Sequence, residues 1–74
     1  MSYKISIVIE KDDFGYYAYS PGLEGCHTQG ETFEETMSNI KEAVELYLET
    51  LTDEEKRQLV SKEIVTTSLE VSIA

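Results

Sequence analysis

From Tyr3 to Lys11 apolar and polar side chains alternate, with Ile5, Ile7 and Ile9 on one face and Lys4, Ser6 and Glu10, interrupted by Val8, on the other. A period of two over this length predicts a half-buried strand. Asp12-Asp13-Phe14-Gly15 supplies turn chemistry, and Tyr16, Tyr17, Ala18 and Tyr19 form a second run rich in strand-favouring aromatics, so residues 3–20 read as a hairpin. Ser20-Pro21-Gly22 ends it. Pro21 presets the backbone for a turn, Gly22 tolerates a positive φ, and Gly25 to Gln29 leaves room for one further short strand.

After Gly30 the period changes to that of a helix. Phe33, Met37, Ile40, Ala43, Val44, Tyr47, Leu48 and Leu51 recur at steps of three and four, while Glu34, Glu42, Glu45 and Glu49 fall mostly elsewhere. Thr32 can cap this helix, with Glu35 three residues on reaching back as the second half of a capping box. Roughly 18 residues rising 1.5 Å each span about 27 Å, enough to cross a small sheet. Thr52 and Glu55 repeat the capping pattern ahead of a short helix from Asp53 to Val60, with Leu51, Leu59 and Val60 as its apolar contacts. The tail alternates again: Val65, Thr67, Leu69, Val71 and Ile73 share a face opposite Thr66, Ser68, Glu70 and Ser72, which predicts a last strand.

These elements imply an α+β domain of two layers: an antiparallel three-strand meander, a helix, a second short helix and a further strand. The main helix is expected to pack on the face made by Ile5, Ile7, Ile9, Leu69, Val71 and Ile73. Four strands cannot close into a barrel, so the sheet edges need cover, and pairing across a two-fold axis is one way to provide it. A chain of 74 residues is short enough that self-association is a reasonable source of added stability. The expectation is a homo-oligomer, dimer or tetramer.

Charge narrows the partners. Fifteen Asp and Glu against six Lys and Arg give a net charge of -9. Phosphate backbones are held mainly by Lys and Arg, so direct nucleic-acid binding is not expected, whereas a basic protein partner fits. Such charge also serves plain solubility. No stretch approaches the ~20 apolar residues of a membrane span, and the first ten residues lack the basic and apolar regions of a signal peptide, so the expected location is the cytoplasm. Cys26 is the lone cysteine, which excludes an intramolecular disulfide and a cysteine-based zinc site within one chain.

The segment Gly25-Cys26-His27-Thr28-Gln29-Gly30-Glu31-Thr32 followed by Glu34-Glu35 resembles the signature of the HicB antitoxin family. Upstream, Val8 to Asp12 leading to Gly15-Tyr16-Tyr17-Ala18-Tyr19 and Pro21 is similar to that family's first hairpin, and Asn39-Ile40-Lys41-Glu42-Ala43 matches its helix. The resemblance implies a partly RNase H-like fold of three antiparallel strands, a helix and a further strand. It also implies a role as antitoxin to a small, basic, mRNA-cleaving toxin of the HicA type. The signature residues Gly25, Cys26, His27, Thr28, Gly30, Thr32 and Glu35 are read as structural. Gly22 and Glu24 stand where many members have an acidic residue and a proline, and Thr36-Met37 replaces a commoner Ala-Leu. Members often carry a C-terminal DNA-binding domain. Residues 1–74 show no helix-turn-helix or ribbon-helix-helix segment, so a single domain without repressor activity is expected.

A nuclease of the RNase H type would need carboxylates converging on two metal ions about 4 Å apart. The centre of the first strand offers Ile5, Ser6, Ile7 and Val8, while Glu10, Asp12 and Asp13 lie toward a turn, so no catalytic role, metal or cofactor is expected. Cys26 and His27 are adjacent in a presumed strand and point to opposite faces, which prevents joint metal ligation. Cys26 reads as a small buried residue. Gly25 and Gly30 most simply serve turns and helix entry. Tyr16, Tyr17 and Tyr19 could stack on bases, but that needs a positive groove the chain does not offer. Alternation places Tyr17 and Tyr19 opposite Tyr16, so at least one of the three faces away from the helix. Tyr16, Tyr17 and Tyr19, with Glu34, Glu42, Glu45 and Glu49, are therefore the candidate partner-binding residues of a HicB-like protein-binding domain. The second reading is an orphan homo-oligomeric scaffold or regulator of the same fold.

Overall fold

The structure, a computed structural model, describes residues 3–74 apart from the side chain of Val60. Three strands, β1 (Val8–Asp12), β2 (Gly15–Tyr19) and β3 (His27–Gly30), precede helices α1 (Phe33–Glu49) and α2 (Asp53–Ser61). The sheet runs in the order β1-β2-β3, with Val8 opposite Tyr19 and Asp12 opposite Gly15 in the first antiparallel pair. In the second, Tyr16 lies opposite Gly30 and Tyr19 opposite His27. The α+β class and the meander followed by helices are those the sequence pattern implies.

The hairpin turn is made by Asp12, whose Oδ1 accepts the Phe14 N–H at 2.8 Å. This is the local side-chain bond that makes Asp a turn residue. Gly15 then adopts a φ of 135°, a value side-chain-bearing residues rarely take. Between β2 and β3 two turns follow one another: Leu23 N–H donates to Ser20 O at 3.2 Å across Pro21, and Cys26 N–H to Leu23 O at 3.1 Å across Gly25. The positive φ here belongs to Gly25, at 79°, and not to Gly22 as the sequence suggests. Gly22 has a different use. A Cβ there would stand 3.1 Å from Ile64 Cδ1, so the missing side chain leaves room for the chain that follows α2.

β1 is shorter than the alternation from Tyr3 predicts. Continuing the register two steps beyond Val8 and Tyr19 would set Ser6 against Pro21, which has no N–H to give to a ladder. The Ser6 carbonyl instead accepts the Ser20 hydroxyl at 2.9 Å. Ile5, Ile7 and Ile9 still share the expected face, packed partly buried against a core of Ala18, Leu23, Cys26, Ile40 and Val44.

α1 is capped by Thr32, whose Oγ1 accepts the Glu35 N–H at 3.0 Å, but the return bond to the Glu35 side chain that would complete the expected box is not formed. At Thr52 the box closes in both directions: the Glu55 N–H donates to Thr52 Oγ1 at 3.2 Å and the Thr52 N–H to Glu55 Oε1 at 2.9 Å. Leu59 of α2 joins the core rim and Leu51 is half-buried, while the contact expected of Val60 lies outside the described residues.

The tail departs from expectation. Residues 62–74 form no strand, and Val65, Leu69, Val71 and Ile73 are 76, 86, 69 and 93% exposed. The alternation is present but among the described residues no strand pairs with it, so the face expected to complete the core beneath α1 is left in solvent. The molecule is correspondingly long, 49 × 29 × 18 Å with a radius of gyration of 14.5 Å. A compact chain of this length has a radius of about 11 Å.

Candidate functional site

Pleating divides the sheet residues between two faces. Ala18 is fully buried, so the residues in step with it, Ile9, Tyr16 and Thr28, lie on the side that α1 covers. Val8, Glu10, Tyr17, Tyr19, His27 and Gln29 lie on the other. There Tyr17 stands at the centre of an aromatic cluster, its ring 5.8 Å from that of Tyr19 and 5.9 Å from that of His27. Among the described residues no element covers these rings. Tyr17 and Tyr19 are half-buried by their neighbours in the sheet and His27 is exposed.

Tyr16 is separated from that cluster. Its ring meets Phe33 edge-on at 6.3 Å on the helix side, and Lys11 Nζ lies 5.8 Å from its centroid, so Tyr16 ties the hairpin to the start of α1. The acidic residues of α1 occupy a third position. Glu34, Glu42, Glu45 and Glu49 are all exposed, and at 3.6 residues per turn they fall within an arc of about 80° on the helix side away from Ile40 and Val44. Of the seven candidate residues the structure therefore brings Tyr17 and Tyr19 together, sets the four glutamates in one stripe across the molecule, and places Tyr16 with neither.

A polar hollow of about 520 Å³ opens at the hairpin end, lined by Glu10, Asp12, Glu31 and Glu35 with Tyr16 and Tyr17 as walls. Among the described residues, no group of three or more His, Cys, Asp or Glu is arranged to hold a metal ion. What the hollow offers is negative potential beside Tyr17. Phe14 lines it too and is 95% exposed at the tip of the turn. It joins the site as a residue the sequence pattern did not single out. Its signal was its place in Asp12-Asp13-Phe14-Gly15, since a large apolar side chain at the tip of a tight turn has nothing of its own chain to pack on.

The signature residues serve the scaffold. Cys26 is buried, and burial pushes its thiol pKa above the ordinary value. His27 follows it on the outer face, so the adjacent pair is split between core and surface. Gly30 does more than admit the helix. A Cβ there would come within 2.9 Å of the Thr36 backbone nitrogen, so the first turn of α1 sits directly on β3 at this point. Thr36 is fully buried, and its hydroxyl is satisfied by donating to Thr32 O at 2.8 Å. Asn39, one turn on, donates from Nδ2 to Gln29 O at 3.0 Å and pins α1 to the outer edge of the sheet.

Comparison with known proteins agrees with this scaffold. The sequence profile described as HicB_like antitoxin of bacterial toxin-antitoxin system matches residues 3–72. A UPF0150 protein of Helicobacter pylori is 47% identical over 70 residues, covering 95% of this chain and 97% of the relative. A UPF0150 protein of Synechocystis is 52% identical over 62 residues, 82% of this chain and 76% of its own length. One of Archaeoglobus fulgidus is 46% identical over 63 residues, 84% and 91% respectively. No solved structure matches the chain at a significant level. A matched profile spanning nearly all of the chain, over a scaffold whose signature glycines have identifiable duties, places the protein in the HicB-like antitoxin family of bacterial toxin–antitoxin systems.

Proposed function

We propose that this domain neutralises a small, basic, mRNA-cleaving toxin of the HicA type by covering its active site, with the outer sheet face as the contact surface. The observation that carries the reading is the uncovered Tyr17–Tyr19–His27 cluster beside the carboxylate-lined hollow, on a chain of net charge -9 in an antitoxin family. Aromatic side chains held by a rigid sheet lose little freedom on binding and supply most of the energy at protein interfaces. The carboxylates of the hollow, and the Glu34, Glu42, Glu45 and Glu49 stripe at longer range, raise the rate of encounter with a cationic partner. The location is the cytoplasm, where such a toxin acts, and no cofactor takes part.

The test is co-expression with the small basic protein encoded beside this chain, scored by growth and by binding of the purified pair. The expected outcome is relief of toxicity by the native chain. Y17A/Y19A should weaken binding by at least tenfold, since truncating a central aromatic anchor typically costs about 2 kcal/mol or more. Undiminished binding by that variant would move the interface elsewhere, and failure to bind or rescue at all would remove the antitoxin reading.

A second reading, a homo-oligomeric scaffold or regulator without a toxin, is favoured by one feature: the exposed apolar stripe of residues 65–73.

A further inference from the structure

The tip of the first hairpin carries a large apolar side chain that its own chain does not use. Phe14 is 95% exposed, in a turn of the kind where Gly, Asn, Asp and Ser are the residues that favour the conformation. The tip is nonetheless firmly built. Asp12 Oδ1 takes the Phe14 N–H at 2.8 Å. Gly15, with a φ of 135°, lies so close to β3 that a Cβ there would stand 2.8 Å from the Gly30 carbonyl oxygen. Phe14 is thus a ring held out on a braced turn, and a partner that buries it has little backbone left to order.

The surroundings of this ring are anionic. Alternation along β1 puts Glu10 and Asp12 on the outer face, about 7 Å apart along the strand. Both line the hollow at the hairpin end together with Phe14 and Tyr17, and Glu31, just past β3, lines it from the other side. Asp13 adds a further exposed carboxylate at the turn. Lys11 is the lone Lys or Arg between positions 5 and 40, and it is directed to the helix side, over the Tyr16 ring.

Flat rings set among spaced negative charges, with no cation between them, are also what an unpaired RNA strand presents. A protein that cleaves single-stranded mRNA must hold both parts, with Lys and Arg for the phosphates and flat side chains for the bases. We infer that the hairpin tip enters the RNA-binding cleft of the toxin as a substrate mimic, Phe14 taking the place of an unpaired base and Glu10, Asp12 and Asp13 those of phosphates. The inference rests on the neutralising role proposed above and names how the toxin's site is closed. Two strands about 5 Å apart form a narrow wedge, so the ring and its charges reach into a cleft that a flat sheet face could only roof. Charge complementarity selects the occupant: a tip that repels nucleic acid suits the groove nucleic acid would fill.

Competition on the toxin tests it, using the small basic protein encoded beside this chain and a fluorescent single-stranded 2′-O-methyl RNA, whose blocked 2′-oxygens resist cleavage. The full chain should displace the oligonucleotide. F14A should bind the toxin at least tenfold more weakly, while F14W, which keeps a flat ring, stays within about threefold of the native chain. Because Phe14 is exposed, F14A should leave the circular dichroism and thermal midpoint unchanged, so the loss reports the contact and not the fold. E10Q/D13N should reduce the dependence of binding on salt. Native affinity in F14A would overturn the inference and leave toxin binding in place, as would native salt dependence in E10Q/D13N. A complex holding the native chain and the oligonucleotide together on one toxin would overturn it equally. A native chain that neither binds the toxin nor relieves its toxicity would remove both this inference and the role on which it rests.

Discussion

Gly30 and Thr36 show how much of the packing depends on single atoms. The helix approaches β3 so closely that Gly30→Ala must push α1 away or distort the strand. Overpacking of this kind costs about 1–3 kcal/mol, to be read from the urea midpoint. Ile40, 1% exposed beneath the middle of α1, sets the opposite test. Ile40→Ala is expected to cost about 2–5 kcal/mol. The total stability of a chain this size is about 4–11 kcal/mol, so a partly unfolded population should be visible at 37 °C. Cys26 adds a pH dependence with a definite sign. Its thiol titrates above the ordinary range because burial disfavours the thiolate, so its contribution to stability is complete below the ordinary thiol pKa and is lost as pH rises through the folded value. Native alkylation should be slow at neutral pH and should track unfolding. At this scale the sequence was legible where a residue has one plausible duty, as with buried Cys26 or Thr32 as a cap. It was ambiguous for glycine, where a turn, a close approach and room for a neighbour all ask for the same residue: Gly25 proved to be the first, Gly30 the second and Gly22 the third.

Helices were the most legible elements, because both their period and their caps are local. The Thr52–Glu55 box is the clearest case. The Thr52 backbone N–H that donates to Glu55 Oε1, helped by the Thr52 side chain, holds the Glu55 carboxyl below its ordinary pKa, so the support it gives α2 is present above the usual carboxylate range and is lost as pH falls through the lowered value. Thr52→Ala should raise the Glu55 pKa toward that of an exposed carboxylate and fray the first turn of α2, both observable in an NMR titration. Strands were less legible, because their extent depends on a partner. The alternation from Tyr3 is real, yet the ladder starts only at Val8, since its partner turns away at Ser20-Pro21. The alternation from Val65 is equally real and has no partner strand in its own chain. A period of two reports which side of a segment is apolar and says nothing of what it pairs with. The same limit applied to the tyrosines: alternation put Tyr17 and Tyr19 on one face, but the cluster with His27 needed the register of β2 against β3.

For the molecule as a whole, the separation of its surfaces matters most. The aromatic cluster lies on the outer sheet face and the glutamate stripe on the far side of α1, so one flat partner cannot touch both. Raising salt should therefore slow association with a basic partner more than it speeds dissociation, because the stripe acts through its field and not by contact. Stopped-flow binding at several ionic strengths measures the two rates separately. Pro21 sets the extent of the sheet itself. By withholding one N–H it decides how far the first hairpin can zip with itself, and residues 4–7 stay outside the ladder. A residue with an amide at position 21 would let that hairpin add rungs ahead of Val8, so the length of the zipper is set by one missing hydrogen.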